Sequence, residues 1–148
     1  MKKILLPLAT ALAVLGAADA SAVSNNTPFN VKVDLTAVCS VVGSIADVQF
    51  TYTSFQAGAA ASTGGGFTVK CTTGLGYTFA FNPSGAGTMP TTGLTYTLTA
   101  PTPAAGTGAN QTYAITGSMP GLQGGTCAGP TGGVCSDTDA SKQLTISF

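Results

Sequence analysis

Four cysteines, Cys39, Cys71, Cys127 and Cys135, are the residues of this chain with the most chemistry to offer. Thiols can pair by oxidation, bind a metal or act as nucleophiles. No C-x-x-C spacing is present and the chain has no His. The usual structural zinc sets are therefore missing, and no metal is expected. An even number of cysteines behind an export leader points instead to two disulfides. Four cysteines allow three pairings. The favoured one is Cys39–Cys71 with Cys127–Cys135: the first ties the start of the fold to the end of a later strand, and the second pins a Gly-rich loop. In the chain-entropy picture they stabilise by roughly 3.5 and 2.5 kcal/mol, for loops of about 33 and 9 residues.

The remaining polar residues do not assemble a catalytic set. Without His there is no Ser-His or Cys-His arrangement. Glu is absent, and the carboxylates after the leader are Asp34, Asp47, Asp137 and Asp139. A glycosidase needs two carboxylates across a cleft. Asp137 and Asp139 follow Ser136 closely and read as turn or strand-end residues. The Gly runs lack the Lys and the strand–helix setting of a phosphate loop. The expectation is a protein that is not an enzyme and has no cofactor. Lys32, Lys70 and Lys142 are the only cations after the leader. They are too few and too scattered to form a nucleic-acid surface. A surface poor in charge and rich in Thr, Ser, Gly and Ala is poorly protected against association, which suits a polymeric working state.

The leader comes first among the elements that must position these residues. Lys2 and Lys3 precede an apolar run over residues 4–18, and Ala20-Ser21-Ala22 is a small-residue cleavage site. Residues 1–22 read as a cleaved signal peptide, with no transmembrane segment in the mature chain. Residues 23–38 form an N-terminal extension and residues 39–148 one domain.

Strand signals then recur between turn residues. They are Val48/Phe50/Tyr52, Phe67/Val69/Cys71, Tyr77/Phe79/Phe81, Leu94/Tyr96/Leu98, Tyr113/Ile115 and Leu144/Ile146/Phe148. Residues 57–61 are too short and Gly-flanked for a stable helix. Residues 83–93, 101–108 and 117–133 read as loops. The class is all-β, an incomplete immunoglobulin-like sandwich with Greek-key connections. The smallest sandwich of that kind has seven strands; these runs supply six, leaving a groove and an open edge.

The extension holds a seventh run. In Phe29-Asn30-Val31-Lys32-Val33-Asp34-Leu35-Thr36-Ala37 every odd position is apolar and every even one polar. It can be the first strand of its own sheet, with the first true strand near residues 39–42 left as the alternative start. It can also be a donor strand for a neighbour, with Phe29, Val31, Val33 and Leu35 entering that neighbour's core.

The run from Phe29 to Cys39-Ser40-Val41 resembles the opening of spore coat protein U domains, the archaic (Csu-type) chaperone–usher pilus subunits. Val48-Gln49-Phe50 to Tyr52, Phe67-Thr68-Val69-Lys70-Cys71 with Tyr77, Met89 with Leu94 to Leu98, Ile115 to Gln123, Ser136-Asp137-Thr138 and Leu144 to Phe148 are similar to later motifs of that family, in order. Gly87-Thr88 and Thr99-Ala100 depart from it where charge is usual, and the Cys127/Cys135 pair looks like a local addition. The resemblance implies a pilus (fimbrium) subunit exported through the periplasm to the cell surface, serving adhesion or biofilm formation. It implies donor-strand complementation. A periplasmic chaperone grips the C-terminal strand, with Leu144, Ile146 and Phe148 facing the groove, and at the outer-membrane usher the extension of an identical or related subunit takes its place. Two alternatives stay open: a monomeric secreted β-sandwich binding module, and a spore-coat or surface-layer structural protein of the same fold.

Overall fold

The computed structural model describes residues 27–129 and 132–148. The leader, its cleavage site and residues 23–26 lie outside them. The chain divides into two compact units, one ending at Asp34 and one spanning Leu35–Phe148. Residues 27–34, the described part of the first unit, carry no strand. The second unit is all-β, and no helix occurs among the described residues.

Its strands are β1 (Cys39–Val42), β2 (Val48–Gln49), β3 (Ala60–Ala61), β4 (Thr63–Gly64), β5 (Gly66–Cys71), β6 (Thr78–Asn82), β7 (Ala86–Thr88), β8 (Thr95–Thr99), β9 (Asn110–Ala114), β10 (Thr116–Met119) and β11 (Gln143–Ser147). Every pairing is antiparallel. Four small sheets result, in the orders β1-β5-β9, β3-β10-β8-β7, β11-β6 and β2-β4.

Short strands join into longer bent ones. β9 runs on into β10 across Ile115, whose N–H donates to Gly65 O at 2.9 Å. β3, β4 and β5 follow one another with single-residue breaks, and Gly65 takes the left-handed φ of 72° that the bend demands. β6 turns into β7 after Asn82. The six runs read from sequence fall on β2, β5, β6, β8, β9 and β11, and the alternative start at residues 39–42 falls on β1.

Alternation sets the faces. In β5, Phe67, Val69 and Cys71 are buried while Lys70 is exposed, as the two-residue strand period requires. These three form the main core with Tyr77 and Ile115, lined by Phe79, Phe81, Leu144 and Ile146 from β6 and β11. Phe67, Phe79, Tyr77 and Tyr113 meet edge-on or tilted with centroids 5.1–6.4 Å apart. A second cluster is built on Ala60, Tyr96 and Met119.

Four sequence expectations need correction. Residues 83–93 hold β7, because Gly87 pairs with Tyr96 and lets the ring lie over the backbone. β10 runs into the stretch 117–133 read as loop, since Met119 is a core residue. The run at Val48 is a strand only to Gln49; Phe50 and Tyr52 reach the second cluster from a loop. Residues 29–37 are not a strand of their own sheet.

Candidate functional site

The pairings form one continuous ribbon. β1 pairs with β5, β5 with β9, β10 with β8, β8 with β7, and β6 with β11. Because β9 continues as β10 and β6 as β7, the β10-β8-β7 ladders bridge the β1-β5-β9 and β11-β6 sheets along one flank, while β9 and β6 themselves have one ladder each. On the other flank stand β1 and β11. Each has a single ladder, so among the described residues the outer edges of both are without a strand partner.

The core beneath this opening is thinly covered. Cys39 and Val41 lie on the core face of β1, opposite Cys71 and Val69 of β5. Val69 is 0% exposed, yet Val41 is 38% exposed. Leu144 and Ile146 face inward from β11 opposite Phe81 and Phe79, and they too are only half-buried. Ile45 and Val48 have the same status. An apolar side chain left partly wet forgoes roughly 25 cal/mol for each Å² not buried, so the opening is a place where added apolar surface is stabilising.

Both edge strands are fixed in place. The Cys39–Cys71 disulfide ties β1 to β5, with Cα atoms 4.1 Å apart. The Val38 N–H donates to Thr72 Oγ1 at 3.0 Å, and the Thr72 N–H donates to Val38 O at 2.9 Å. β11 is held through the segment before it. Asp137 Oδ2 accepts from the N–H groups of Thr91 and Thr92 at 2.8 and 2.7 Å and from Thr92 Oγ1 at 3.1 Å. These donors, led by Thr92 N–H, hold the Asp137 carboxyl below its ordinary pKa. The Asp139 carboxylate accepts from the Tyr96 hydroxyl and from Ser141 N–H. Hydrogen bonding from Ser141 and then Tyr96 brings its pKa down to about 2. Burial, with Asp139 beside it, pushes the Tyr96 phenol up. Lys142 Nζ donates to Ser84 O and Ala86 O at 3.0 and 2.6 Å. Across the core, the Tyr77 and Tyr113 hydroxyls share a 2.6 Å hydrogen bond, and burial pushes Tyr77 up to about 12.

The residues singled out from sequence are distributed as follows. Phe29, Val31, Val33 and Leu35 are 78–84% exposed. Leu144 and Ile146 are on the core face of β11, and Phe148, one residue beyond it, is exposed. Both disulfides carry the favoured pairing, Cys39–Cys71 and Cys127–Cys135. Asp137 and Asp139 are anchors in a loop. Sequence reasoning did not mark Val41, exposed on the core face of β1, or Ile45, partly exposed beside the main core. The alternation of Cys39 and Val41 was the available signal. It also missed Phe55 and Leu122, large apolar residues that are exposed; nothing local in the sequence marks them.

No group of His, Cys, Asp and Glu that could hold a metal occurs among the described residues. No helix among them is long and apolar enough to cross a membrane. No family model matches the chain, and no curated protein or solved structure matches it.

Proposed function

We propose that this chain is a structural subunit of a head-to-tail surface fibre, in which the N-terminal segment of one copy fills the opening between β1 and β11 of the next. The observation that carries the reading is the unequal burial of the cross-strand pair Val41 and Val69 beside two unpaired edges. An added strand would find a ladder partner on both sides, the geometry of β-augmentation. Phe29, Val31, Val33 and Leu35 supply apolar side chains at the two-residue period that one face of such a strand needs. At roughly 1.5–3 kcal/mol each, their burial is worth about 6–12 kcal/mol before ordering costs. Asn30, Lys32, Asp34 and Thr36 would face water.

A segment of one copy seated in a different surface of the next is a heterologous contact, which propagates rather than closes. The motifs that resemble chaperone–usher pilus subunits would imply the same arrangement. On that reading a periplasmic chaperone covers the opening until an outer-membrane usher exchanges it for the next subunit's segment, and the fibre stands at the cell surface.

The test removes residues 23–38 and measures thermal unfolding with and without a synthetic peptide of that sequence. The truncated domain is expected to be marginal alone and to gain a cooperative transition whose midpoint rises with peptide concentration. A stable, monomeric full chain at all concentrations, together with a truncated domain that the peptide cannot rescue, would overturn the proposal.

A further inference from the structure

Strand directions define two ends of the second unit. β1 starts, β5 ends, β9 starts and β11 ends at one of them, with Val38, Thr72 and Phe148. β10 ends and β8 starts at the other, where the loops 50–59, 89–94 and 120–129 gather. Two large apolar residues sit on that second end. Phe55 and Leu122 are both nearly three-quarters exposed, and both have left-handed backbones, with φ of 63° and 61°. Bulky residues rarely take that conformation.

The loops lock them into it. Phe55 N–H donates to Gln123 O at 2.8 Å, and Leu122 N–H donates to Gln56 O at 2.7 Å. Gln123 clamps the pair to the fold. Its N–H donates to Tyr52 Oη at 2.9 Å, its Oε1 accepts from Thr95 N–H and Oγ1, and its Nε2 donates to the carbonyls of Thr95 and Pro120 at 3.0 Å each. A fully bonded frame that holds two apolar side chains out into water, in a costly backbone conformation, is built for contact.

The opposite end offers a match. Val38 and Phe148 are exposed there. The stretches 50–59, 89–94 and 120–129 at one end, and 72–77 and 100–109 at the other, contain no charged residue. The one carboxylate seated on these loops is Asp137, which Thr91 N–H, Thr92 N–H and Thr92 Oγ1 already hold at the Phe55 end. The segment leaving at Val38 would lie in the neighbour's opening. In a chain of copies all pointing the same way, the Val38 end of one then abuts the Phe55 end of the next.

We infer that Phe55 and Leu122 form the seat on which the Val38–Phe148 end of a neighbouring copy rests, a second contact beside the inserted segment. This inference depends on the strand-donation reading above.

Asparagine tolerates the left-handed backbone, so Phe55→Asn with Leu122→Asn removes the apolar contact without straining the fold. The full chain is compared by sedimentation equilibrium in three forms: parent, this double variant, and Val31→Asp with Val33→Asp. The expected result is an association constant about tenfold weaker for the Asn variant, unchanged affinity for a peptide of residues 29–37, and no assembly of the Asp variant. With Leu122→p-benzoylphenylalanine, light should cross-link residues 35–39 or 147–148 of another copy. Parent-like association of the Asn variant overturns the seat alone. So does a cross-link elsewhere, or a loss confined to adsorption on methylated silica, which would make the patch a surface-binding one. A parent that does not associate, or an Asp variant that assembles as well as the parent, overturns strand donation and the seat with it.

Discussion

Val41 and Val69 face each other across the β1–β5 ladder, on the same side of the sheet, and only Val69 is covered. Two identical side chains in one register pair should report different environments when truncated. Val69→Ala is expected to destabilise the full chain by about 2 kcal/mol, through lost burial plus the cavity it leaves. Val41→Ala should cost the unassembled chain less than about 0.5 kcal/mol. It should still weaken binding of a residues 29–37 peptide by about fivefold, since roughly 1 kcal/mol of apolar burial is lost from the filled opening. Denaturant titrations and peptide calorimetry read the two effects. Equal destabilisation by both substitutions would mean that the edge is already covered in the free chain.

The two disulfides should not be equivalent. Cys39–Cys71 joins residues 32 apart and holds the edge strand β1 to its single partner. Cys127–Cys135 joins residues 8 apart within a loop. Replacing the first pair by Ala is expected to cost roughly 3.5 kcal/mol, against roughly 2.5 kcal/mol or less for the second. Only the first should also lower affinity for the donor peptide, because a frayed β1 removes one wall of the opening. Urea unfolding of the two double variants, each with and without peptide, tests this. Equal loss of peptide affinity in both would detach the opening from β1.

Much of this architecture was legible in the chain because strand faces declare themselves every second residue. Phe67, Val69 and Cys71, or Leu144 and Ile146, need no partner to show which side is apolar. β7 was not legible. Gly87 reads as a breaker until the ring of Tyr96, its direct partner across the β7–β8 ladder, is seen to cover it. The bridged flank depends on β9 changing partners at Ile115, a non-local event with no local signature. Phe55 and Leu122 were invisible for another reason. Their exposure follows from a left-handed backbone imposed by Gln123 and Gln56, and an apolar residue in such a position looks like core in the sequence.

Acid should loosen the approach to β11. The folded Asp139 has a pKa of about 2, and that of Asp137 is also lowered, while an unfolded aspartate titrates near about 3.9. Below that value the unfolded chain takes up protons that the folded one refuses, so stability falls as pH falls. The contribution is complete above about pH 4–5 and is lost as pH drops through the folded values, toward about 2 for Asp139. The denaturation midpoint should be flat from neutral pH to about 5 and decline below about 4. In Asp137→Asn with Asp139→Asn the acid decline should be shallower. An unchanged acid limb in that variant would mean that the hydrogen-bonded Asp137 and Asp139 carboxylates do not carry the acid sensitivity.

Gly87 supports the same segment from the opposite side. It is the cross-strand partner of Tyr96, and a Cβ there would come within 2.8 Å of Tyr96 Cε1 and closer still to the end of the ring. Tyr96 is a core residue of the second cluster, its hydroxyl donates to Asp139, and Lys142 Nζ lies 5.7 Å from its ring centroid. Gly87→Ala must therefore move the ring, at a cost of about 1–3 kcal/mol for overpacking. A displaced ring can no longer hold the Asp139 carboxylate, so Gly87→Ala and Asp139→Asn should be non-additive by at least about 0.5 kcal/mol. The double-mutant cycle is read by urea unfolding at pH 7. Strict additivity would mean that the ring yields without disturbing Asp139, and that the segment leading into β11 is held by Asp137 and Lys142 alone. Coupling would make Tyr96 the link through which the short strand β7 sets the position of β11, and with it one wall of the opening.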